Sequence, residues 1–573
     1  LLNGYRIDFR PGWDCHGFPV ESEIEKNNKL SGRPDILKFG VAKFNEECRA
    51  SVRNYAKQWQ ETITRLGRWV DWNNQYHTMD KDFMESVWWV FSELYKKGLV
   101  YKDHKVVAYS PRNATVVSNF EANQNYKDVQ DPAITVKFKL LDDPSTSLLG
   151  WTTTPWTLVA NLAVAVGPEV EYVKIKDLLT NEFYILAKAQ LEVVYKSKKQ
   201  KPEELYQIIE SMPGAKLGGK KYEPLFPYYK NHPNSFRVLV DSYVAVDEGT
   251  GVVHQAPAFG EEDFRVAKAN GIEIVDPIDL DGNYIDEITE FKGMYVKDAD
   301  KKVIQALKDR GLLLRNETIV HSYPFCDRTD TPLIYRAIPS WYVKVEAHRD
   351  ELVANNKTIN WVPEHLRDGR MGKWLENARD WSISRNRFWG TPLPVWICDK
   401  DEKHIRVLSS VAELEKLGGK KITDLHKHFI DDIAFKCDQC DGTQKRIAEV
   451  LDCWFESGSM PYAQRHYMGE NDKEFLKQFP ADFIAEGLDQ TRGWFYTLAI
   501  LSNALYKKPA FKNVVFNGII CDESGSKMSK RHRNYTAPDQ LINEFGADSV
   551  RLYMLNSPLL KGENLIFKSS GVR

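Results

Sequence analysis

Two stretches of the chain carry residue types and spacings that could do chemistry. Gly525-Ser526-Lys527-Met528-Ser529-Lys530-Arg531 follows an apolar run, Val514 to Cys521, that reads as a buried strand, and a helix start follows at Thr536-Ala537-Pro538-Asp539. A strand, a cationic glycine loop and a helix suit a polyphosphate: glycine lets backbone approach, and Lys527 and Lys530 act as point charges for phosphate oxygens. Taken alone, the loop is equally consistent with a solvated turn. Upstream, Cys437-Asp438-Gln439-Cys440 has zinc-knuckle spacing, and Cys398 and His404 precede it on a loop. A Cys3His zinc site and a metal-free loop both stay open, because Asp401 stands where a second Cys-x-x-Cys pair would close. Cys453 and Cys521 read as small buried hydrophobes.

The elements that must position these residues are those of an ordinary globular enzyme. The 573 residues allow roughly three or four domains. The apolar content of 42% excludes a disordered chain. A net charge of −2 argues against a uniformly basic nucleic-acid binder, although local basic patches can still carry phosphate contacts. No apolar run approaches the ~18 residues of a membrane helix, so no membrane partner is expected. Eight cysteines, mostly scattered singly, suit a reducing compartment, and the expected location is cytoplasmic.

Residues 1–132 mix patterns, with helical spacing from Phe44 to Leu66 and from Met84 to Tyr95, where Trp88 and Trp89 read as core. From 133 to 320 the chain is strand-rich: Ile134, Val136, Phe138 and Leu140 alternate with polar residues, and Val170 to Ile175, Phe183 to Leu186 and Val238 to Val246 follow. Within it, Tyr195 to Lys221 is charged and punctuated by glycine, and is expected to be a surface helix and loop. Residues 321–450 return to mixed structure with aromatic loops. Residues 451–540 alternate strand and helix as half of a parallel sheet does, and 541–573 begin a helical region.

Five blocks, in order, resemble class I aminoacyl-tRNA synthetases. They are Gly12-Trp13-Asp14-Cys15-His16-Gly17, Trp151-Thr152-Thr153-Thr154-Pro155-Trp156 with Gly249-Thr250-Gly251-Val252-Val253-His254, Asp452-Cys453-Trp454-Phe455-Glu456-Ser457-Gly458, Glu486-Gly487-Leu488-Asp489-Gln490, and the Lys-Met-Ser-Lys loop. Ser459-Met460-Pro461-Tyr462-Ala463-Gln464, Ser118-Asn119-Phe120-Glu121-Ala122-Asn123-Gln124 and the arginine after Lys530 resemble the isoleucine branch, of eukaryotic cytosolic or archaeal type. The resemblance implies an α/β fold: a Rossmann-like parallel-sheet catalytic domain split by a large β-rich editing insertion, with a helical region starting at the C-terminal end. It implies ATP-dependent activation of isoleucine, transfer to tRNA(Ile), and hydrolytic editing of valyl-tRNA(Ile), with Mg²⁺ accompanying the ATP.

Site roles follow from the same resemblance. Asp14 would hold the amino-acid ammonium, with His16 either beside it as a ligand contact or engaged in a structural hydrogen bond. Pro11, Trp454 and Trp494 would wall the side-chain pocket. Glu486, Gly487, Asp489 and Gln490 would bind the adenylate, and Lys527 and Lys530 would stabilise the pyrophosphate. An apolar pocket discriminates one missing methylene by only about 1–3 kcal/mol, a figure drawn from the isoleucine enzyme itself and so quoted, not worked out from this chain. A second hydrolytic pocket supplies the remainder. Thr152, Thr153 and Thr154 would orient water there, Asp263 would anchor the ammonium, and His254 would bond the terminal ribose or the water.

The family's His-x-Gly-His signature occurs nowhere, the chain enters the first block a few residues before Pro11, and it stops at Arg573 without a helical anticodon-binding domain. The expectation is a piece cut at both ends and impaired in adenylation. The rival readings are a valine–tRNA ligase and a non-ligase tRNA proofreading or binding module.

Overall fold

A computed structural model describes every residue except 1, 2, 5, 6, 118, 124, 197–200, 328, 470–472 and 529–533. The chain divides into two compact units, Leu1–Asp103 with Ser340–Arg573, and His104–Pro339.

The first unit is built around short parallel strands. Asn360–Val362, Asn513–Asn517 and Ile484–Gly487 form one parallel sheet in that order, and Gly12–Trp13 pairs in parallel with Tyr76–His77. Strand Asn513–Asn517 reads Asn-Val-Val-Phe-Asn, and Val514 and Phe516 are buried, as in a strand covered on a packed face. Helix Val41–Arg65 repeats Phe44, Cys48 and Val52 at four-residue spacing, which lays one apolar stripe against Cys15, Phe388 and Trp389. Helix Lys81–Lys96 buries Trp88 and Trp89 as expected. The Trp88 indole donates to the Pro392 carbonyl at 2.8 Å, so its one polar atom is satisfied in the core. Strands Ile405–Val407, Val395–Cys398, Thr443–Arg446 and Ala434–Lys436 form a small antiparallel sheet that carries the cysteine cluster. Helices Pro538–Phe545 and Ala547–Leu555 open the C-terminal helical region.

The second unit is β-rich. Its nine-stranded mixed sheet runs Tyr206–Pro213, Glu171–Asp177, Phe183–Ala187, Thr146–Thr152, Val252–Gln255, Ala163–Val166, Arg237–Val240, and Tyr126–Lys139 joins it beside Thr146–Thr152 and Leu313–Pro324. Ala163–Val166 is wholly apolar and wholly buried, which fits its place between Val252–Gln255 and Arg237–Val240.

One expectation needs refining and another correcting. The strand that alternates from Ile134 is buried on both faces, the intervening polar Thr135 and Lys137 being 5% and 9% exposed, so the alternation does not mark a solvated face. Lys137 is accommodated because its ammonium meets Glu182 at 2.9 Å. Tyr195 to Lys221 is not only helix and loop, since Tyr206–Pro213 is an antiparallel edge strand on Glu171–Asp177. Its side chains are mostly exposed, so backbone pairing and not burial makes it a strand, which hides it from a hydrophobic pattern.

Candidate active site

Three ligand-type segments of the first unit leave the C-terminal ends of parallel strands, where open α/β sheets bind ligands. Asp14 follows Gly12–Trp13, and Glu486 to Gln490 close Ile484–Gly487 and enter a 3₁₀ turn, Leu488–Arg492, before helix Trp494–Tyr506. The lysine loop lies beyond Asn513–Asn517 and Ile520–Cys521. Gly487 leaves room for the Asp489 carboxylate, since a Cβ there would stand 2.7 Å from Asp489 Oδ1. Gln490 accepts from the Trp494 amide at 3.0 Å and donates to Asp489 at 3.3 Å, which fixes both side chains. Glu486 is shifted upward by enclosure, with neighbouring Asp489 adding to it and Arg68 opposing.

Lys527 Nζ lies 4.0 Å from Asp489 Oδ2, so the loop and the 486–490 turn are brought together. Lys530 lies outside the described residues. Asp522 ties the loop: it accepts from the Ser524 hydroxyl at 2.6 Å, the Ser526 amide at 2.9 Å and the Asn534 side chain at 2.6 Å. These bonds, that of Ser524 first, hold its carboxyl down at about 2. Gly525 supplies the positive φ, 84°, that the turn needs.

Asp14 is reached by solvent although protein surrounds it. That enclosure, and next the charge of Glu456, raise its carboxyl to about 7, against the pull of His16. His16 itself is turned inward, with Nδ1 2.6 Å from Glu456 Oε2 and Nε2 2.9 Å from His426 Nε2. Both ring nitrogens are engaged, so the histidine is placed in the structural role, not toward a ligand. Gly17 packs on Cys453, and with the His16–Glu456 contact this joins the 12–17 and 452–458 segments. Asp452 caps helix Cys453–Gly458 through the Trp454 amide at 3.2 Å and is neutralised by Arg385 at 2.5 Å. Trp454 lies beside Gly493, and the Trp494 indole donates to the Ser457 carbonyl at 2.9 Å, so the two tryptophans are neighbours. Pro11 is tied by its carbonyl to the Tyr76 amide at 3.1 Å, and the residue is half-exposed.

In the second unit a chain of hydroxyls runs from the threonine block to His254. Thr152 and Thr154 hydroxyls lie 3.2 Å apart, Thr154 and Thr157 3.2 Å, and Thr157 Oγ1 is 3.1 Å from His254 Nε2. Asn161 Nδ2 lies 2.9 Å from His254 Nδ1, and Tyr222 donates to Asn161 Oδ1 at 2.7 Å. Burial pushes His254 down to about 3, so it is neutral, accepting from Asn161 and donating to Thr157. Thr153, half-buried, stands outside this chain. Asp263, in the first turn of helix Glu261–Ala269, accepts from the Ala256 amide at 2.9 Å and from Gln255 at 3.3 Å. Burial nevertheless raises it to about 7. Asp263 is thus tied to the end of strand Val252–Gln255, the strand that carries His254.

Over residues 1–566 the chain matches the family described as tRNA synthetases class I (I, L, M and V). It belongs to that family. The mouse cytoplasmic isoleucine–tRNA ligase is 54% identical over 578 residues, all of this chain and 45% of that protein. The isoleucine–tRNA ligase of Bdellovibrio bacteriovorus is 53% identical over 573 residues, all of this chain and 54% of that protein. The cytoplasmic enzyme of Caenorhabditis elegans is 52% identical, again over all of this chain and 50% of that protein. The chain spans about half the length of the curated relatives it matches.

Sequence reading missed several residues of this class I synthetase: Asp522, Thr157, Asn161, and His426 with Asp424. Thr157 was visible at the end of the threonine block, and Asp522 as an acidic residue ahead of the Gly525 turn. Asn161 and His426 gave no local signal. In the small sheet, Cys398, His404, Cys437 and Cys440 place one ligand atom each within 4.8 Å of one another. Cys398 and Cys440 sulfurs are 3.4 Å apart, and the Lys400, Gln439 and Gly442 amides each point at a cysteine sulfur at 3.4 Å. The Lys400 amide leads in lowering the Cys398 thiol to about 7. Three sulfurs and one imidazole converging in this way fit a tetrahedral zinc ion.

Proposed function

We propose that the chain carries the amino-acid activation and proofreading parts of an isoleucine–tRNA ligase, acting on ATP, isoleucine and tRNA(Ile) in the cytoplasm. Identity above 50% along the whole chain to relatives named as isoleucine–tRNA ligases carries this reading. The place of Asp14 and of Glu486 to Gln490 at strand ends, with Lys527 beside Asp489, supports it. Among the described residues no helix is long and apolar enough to cross a membrane.

In this reading Asp14, ionised, binds the α-ammonium and turns the carboxylate of isoleucine toward the α-phosphate of ATP. Trp454, Trp494 and Pro11 enclose the branched side chain. Glu486 and Asp489 accept from the ribose hydroxyls while Gln490 holds the turn. Lys527, with Lys530, neutralises the pyrophosphate as it leaves, a role for oriented cations where charge develops. Mg²⁺ would come with the triphosphate and share that neutralisation. Zinc, held by Cys398, His404, Cys437 and Cys440, would be structural, since four protein ligands leave no open position.

For editing, Asp263 binds the ammonium of a misattached valine, and the Thr152–Thr154 hydroxyls hold the attacking water. His254 acts through Thr157, since its ring nitrogens already have partners. Hydrolysis of valyl-tRNA(Ile) by this chain, beside isoleucyl-tRNA(Ile) and an Asp263→Ala control, tests the reading. Loss of the valyl ester alone, abolished by the substitution, is the expected result. Equal hydrolysis of both esters would refute it. The rival valine–tRNA ligase is disfavoured by the Ser459 to Gln464 block and would be revealed by preferential protection of valyl-tRNA.

A further inference from the structure

The 488–492 turn is held from outside by an arginine that no carboxylate neutralises. Arg370 Nε donates to Thr491 Oγ1 at 2.9 Å, and the Thr491 hydroxyl donates to the Leu488 carbonyl at 2.9 Å. A guanidinium only donates and a carbonyl only accepts, so these two bonds allow a single arrangement of hydrogens. The next residue reaches back the other way: the Arg492 guanidinium lies over the Trp374 ring at 4.9 Å. Trp374 stands four residues after Arg370. Arg370 grips residue 491 while Trp374 carries residue 492, and this interlock brings the two arginines into one neighbourhood.

Arg370 projects from a single π-helical turn, Arg367–Gly372, that runs into helix Lys373–Glu376. Such turns are rare and recur at functional sites. Gly372 leaves room for the widened turn, since a Cβ there would stand 2.9 Å from the Arg367 carbonyl.

Among the described residues neither guanidinium forms an ion pair. Arg370 has its bond to Thr491, Arg492 has its ring contact, and Arg492 Nε is buried with no hydrogen-bond partner. By contrast, Arg49, Arg385, Arg387 and Arg446 of the same unit each meet a carboxylate. The charges acting on Arg370 are those of Arg492, which repels it, and Asp489, which attracts it. Lys527 Nζ lies 4.0 Å from the same Asp489 carboxylate. Glu486 belongs to this neighbourhood too, and Arg68 faces it. The cations Lys527, Arg370, Arg492 and Arg68 therefore outnumber the carboxylates Asp489 and Glu486. Like charges held together by the fold repel until an anion joins them, and a guanidinium fork matches two phosphate oxygens.

We propose that Arg370, with Arg492 beside it, is a phosphate-binding residue of the nucleotide site, a cationic contact for the triphosphate in addition to Lys527. Its Nε bond to Thr491 fixes the guanidinium and leaves both Nη groups to donate to phosphate oxygens. This rests on the reading of Glu486 to Gln490 and Lys527 as the nucleotide site.

The test is calorimetric titration of the chain and its Arg370→Met variant with two compounds: MgATP, and an isoleucyl-adenylate analogue whose linker carries neither phosphate nor charge. In Arg370→Met the affinity for MgATP should fall about tenfold, the lower end for a hydrogen bond to a charged group, and that for the analogue by less than about twofold. Lys527→Met, the control, should act in the same direction.

Equal losses for both compounds would make Arg370 a support of the turn alone and overturn the proposal. So would an unchanged MgATP affinity, or a wild-type chain that binds the analogue and not MgATP. If the wild-type chain binds neither compound, the nucleotide reading itself fails. An effect of Lys527→Met without one of Arg370→Met leaves that reading standing and removes the proposal alone. Should Arg370→Met not fold, the wild-type chain decides: MgATP, and not the analogue, should slow the modification of Arg370 by phenylglyoxal, read by peptide mass spectrometry. Equal modification with and without MgATP overturns the proposal.

Discussion

Asp263→Asn should trade stability against proofreading in a pH-dependent way. Asp263 stands at about 7 in the fold against 3.8 unperturbed, because burial opposes its charge more than the Ala256 and Gln255 bonds favour it. The folded chain therefore holds this proton over a window, pH 4 to 7, in which the unfolded chain has lost it. Stability from this group is complete below pH 4, is lost as pH rises through that window, and is constant above it. About three pH units correspond to about 4 kcal/mol as a ceiling. The carboxylate is half-buried, which reduces the expected swing to about 2 kcal/mol. Asparagine cannot ionise, keeps the Ala256 bond and loses the one from Gln255, costing about 1 kcal/mol. The variant should melt below the wild type at pH 4.5 and above it at pH 8, the difference changing by about 4–8 °C across the range. Valyl-tRNA(Ile) hydrolysis should fall at least tenfold at pH 8, where the wild-type carboxyl is ionised, and by less as pH drops below 7 and the wild type itself is protonated. Thermal melts in matched buffers, beside a deacylation assay, check both parts. Melting curves that keep a constant separation from pH 4.5 to 8 would refute the reasoning.

Three further outcomes are expected. Arg385→Met leaves Asp452 charged and enclosed without its guanidinium, and should destabilise the first unit by about 3–5 kcal/mol in denaturant titration. Asp522→Ala removes the acceptor shared by Ser524, Ser526 and Asn534, and should weaken ATP binding several-fold in equilibrium titration while leaving the melting temperature unchanged. Zinc should be found at one ion per chain by elemental analysis, and Cys437→Ser should abolish it, with local loss of order around 395–446.

The sequence made the ligand segments legible because their chemistry is local. Asp14, Glu486 to Gln490 and the lysine loop each stand where an apolar strand gives way to glycine and charge, and the structure puts each at a strand end. What stayed hidden was set by partners distant in the chain. His16 lies 410 positions from His426 and 440 from Glu456, so whether its ring faced a ligand or the interior could not be read from the residues around it. His254 was visible as the end of a Gly-Thr-Gly block. Its partner Asn161, 93 positions away, was not, and that bond decides which ring nitrogen carries the hydrogen. The edge strand Tyr206–Pro213 was missed because its side chains, Ile208 and Ile209 included, are mostly exposed and follow no in–out alternation, whereas its backbone bonds to Glu171–Asp177 make the strand. The alternation from Ile134 did not reveal that its polar positions are covered too, since Glu182 lets a lysine occupy a covered position at 137.

The most direct test of the account is the affinity of this chain for non-hydrolysable isoleucyl- and valyl-adenylate analogues, measured side by side at pH 7.5 with Asp14→Asn as control. The account predicts a preference of about 10- to 100-fold for the isoleucyl form, the range one methylene can supply, and a large loss for both analogues in the variant. Tighter binding of the valyl form, or binding of either that is indifferent to Asp14, would contradict it.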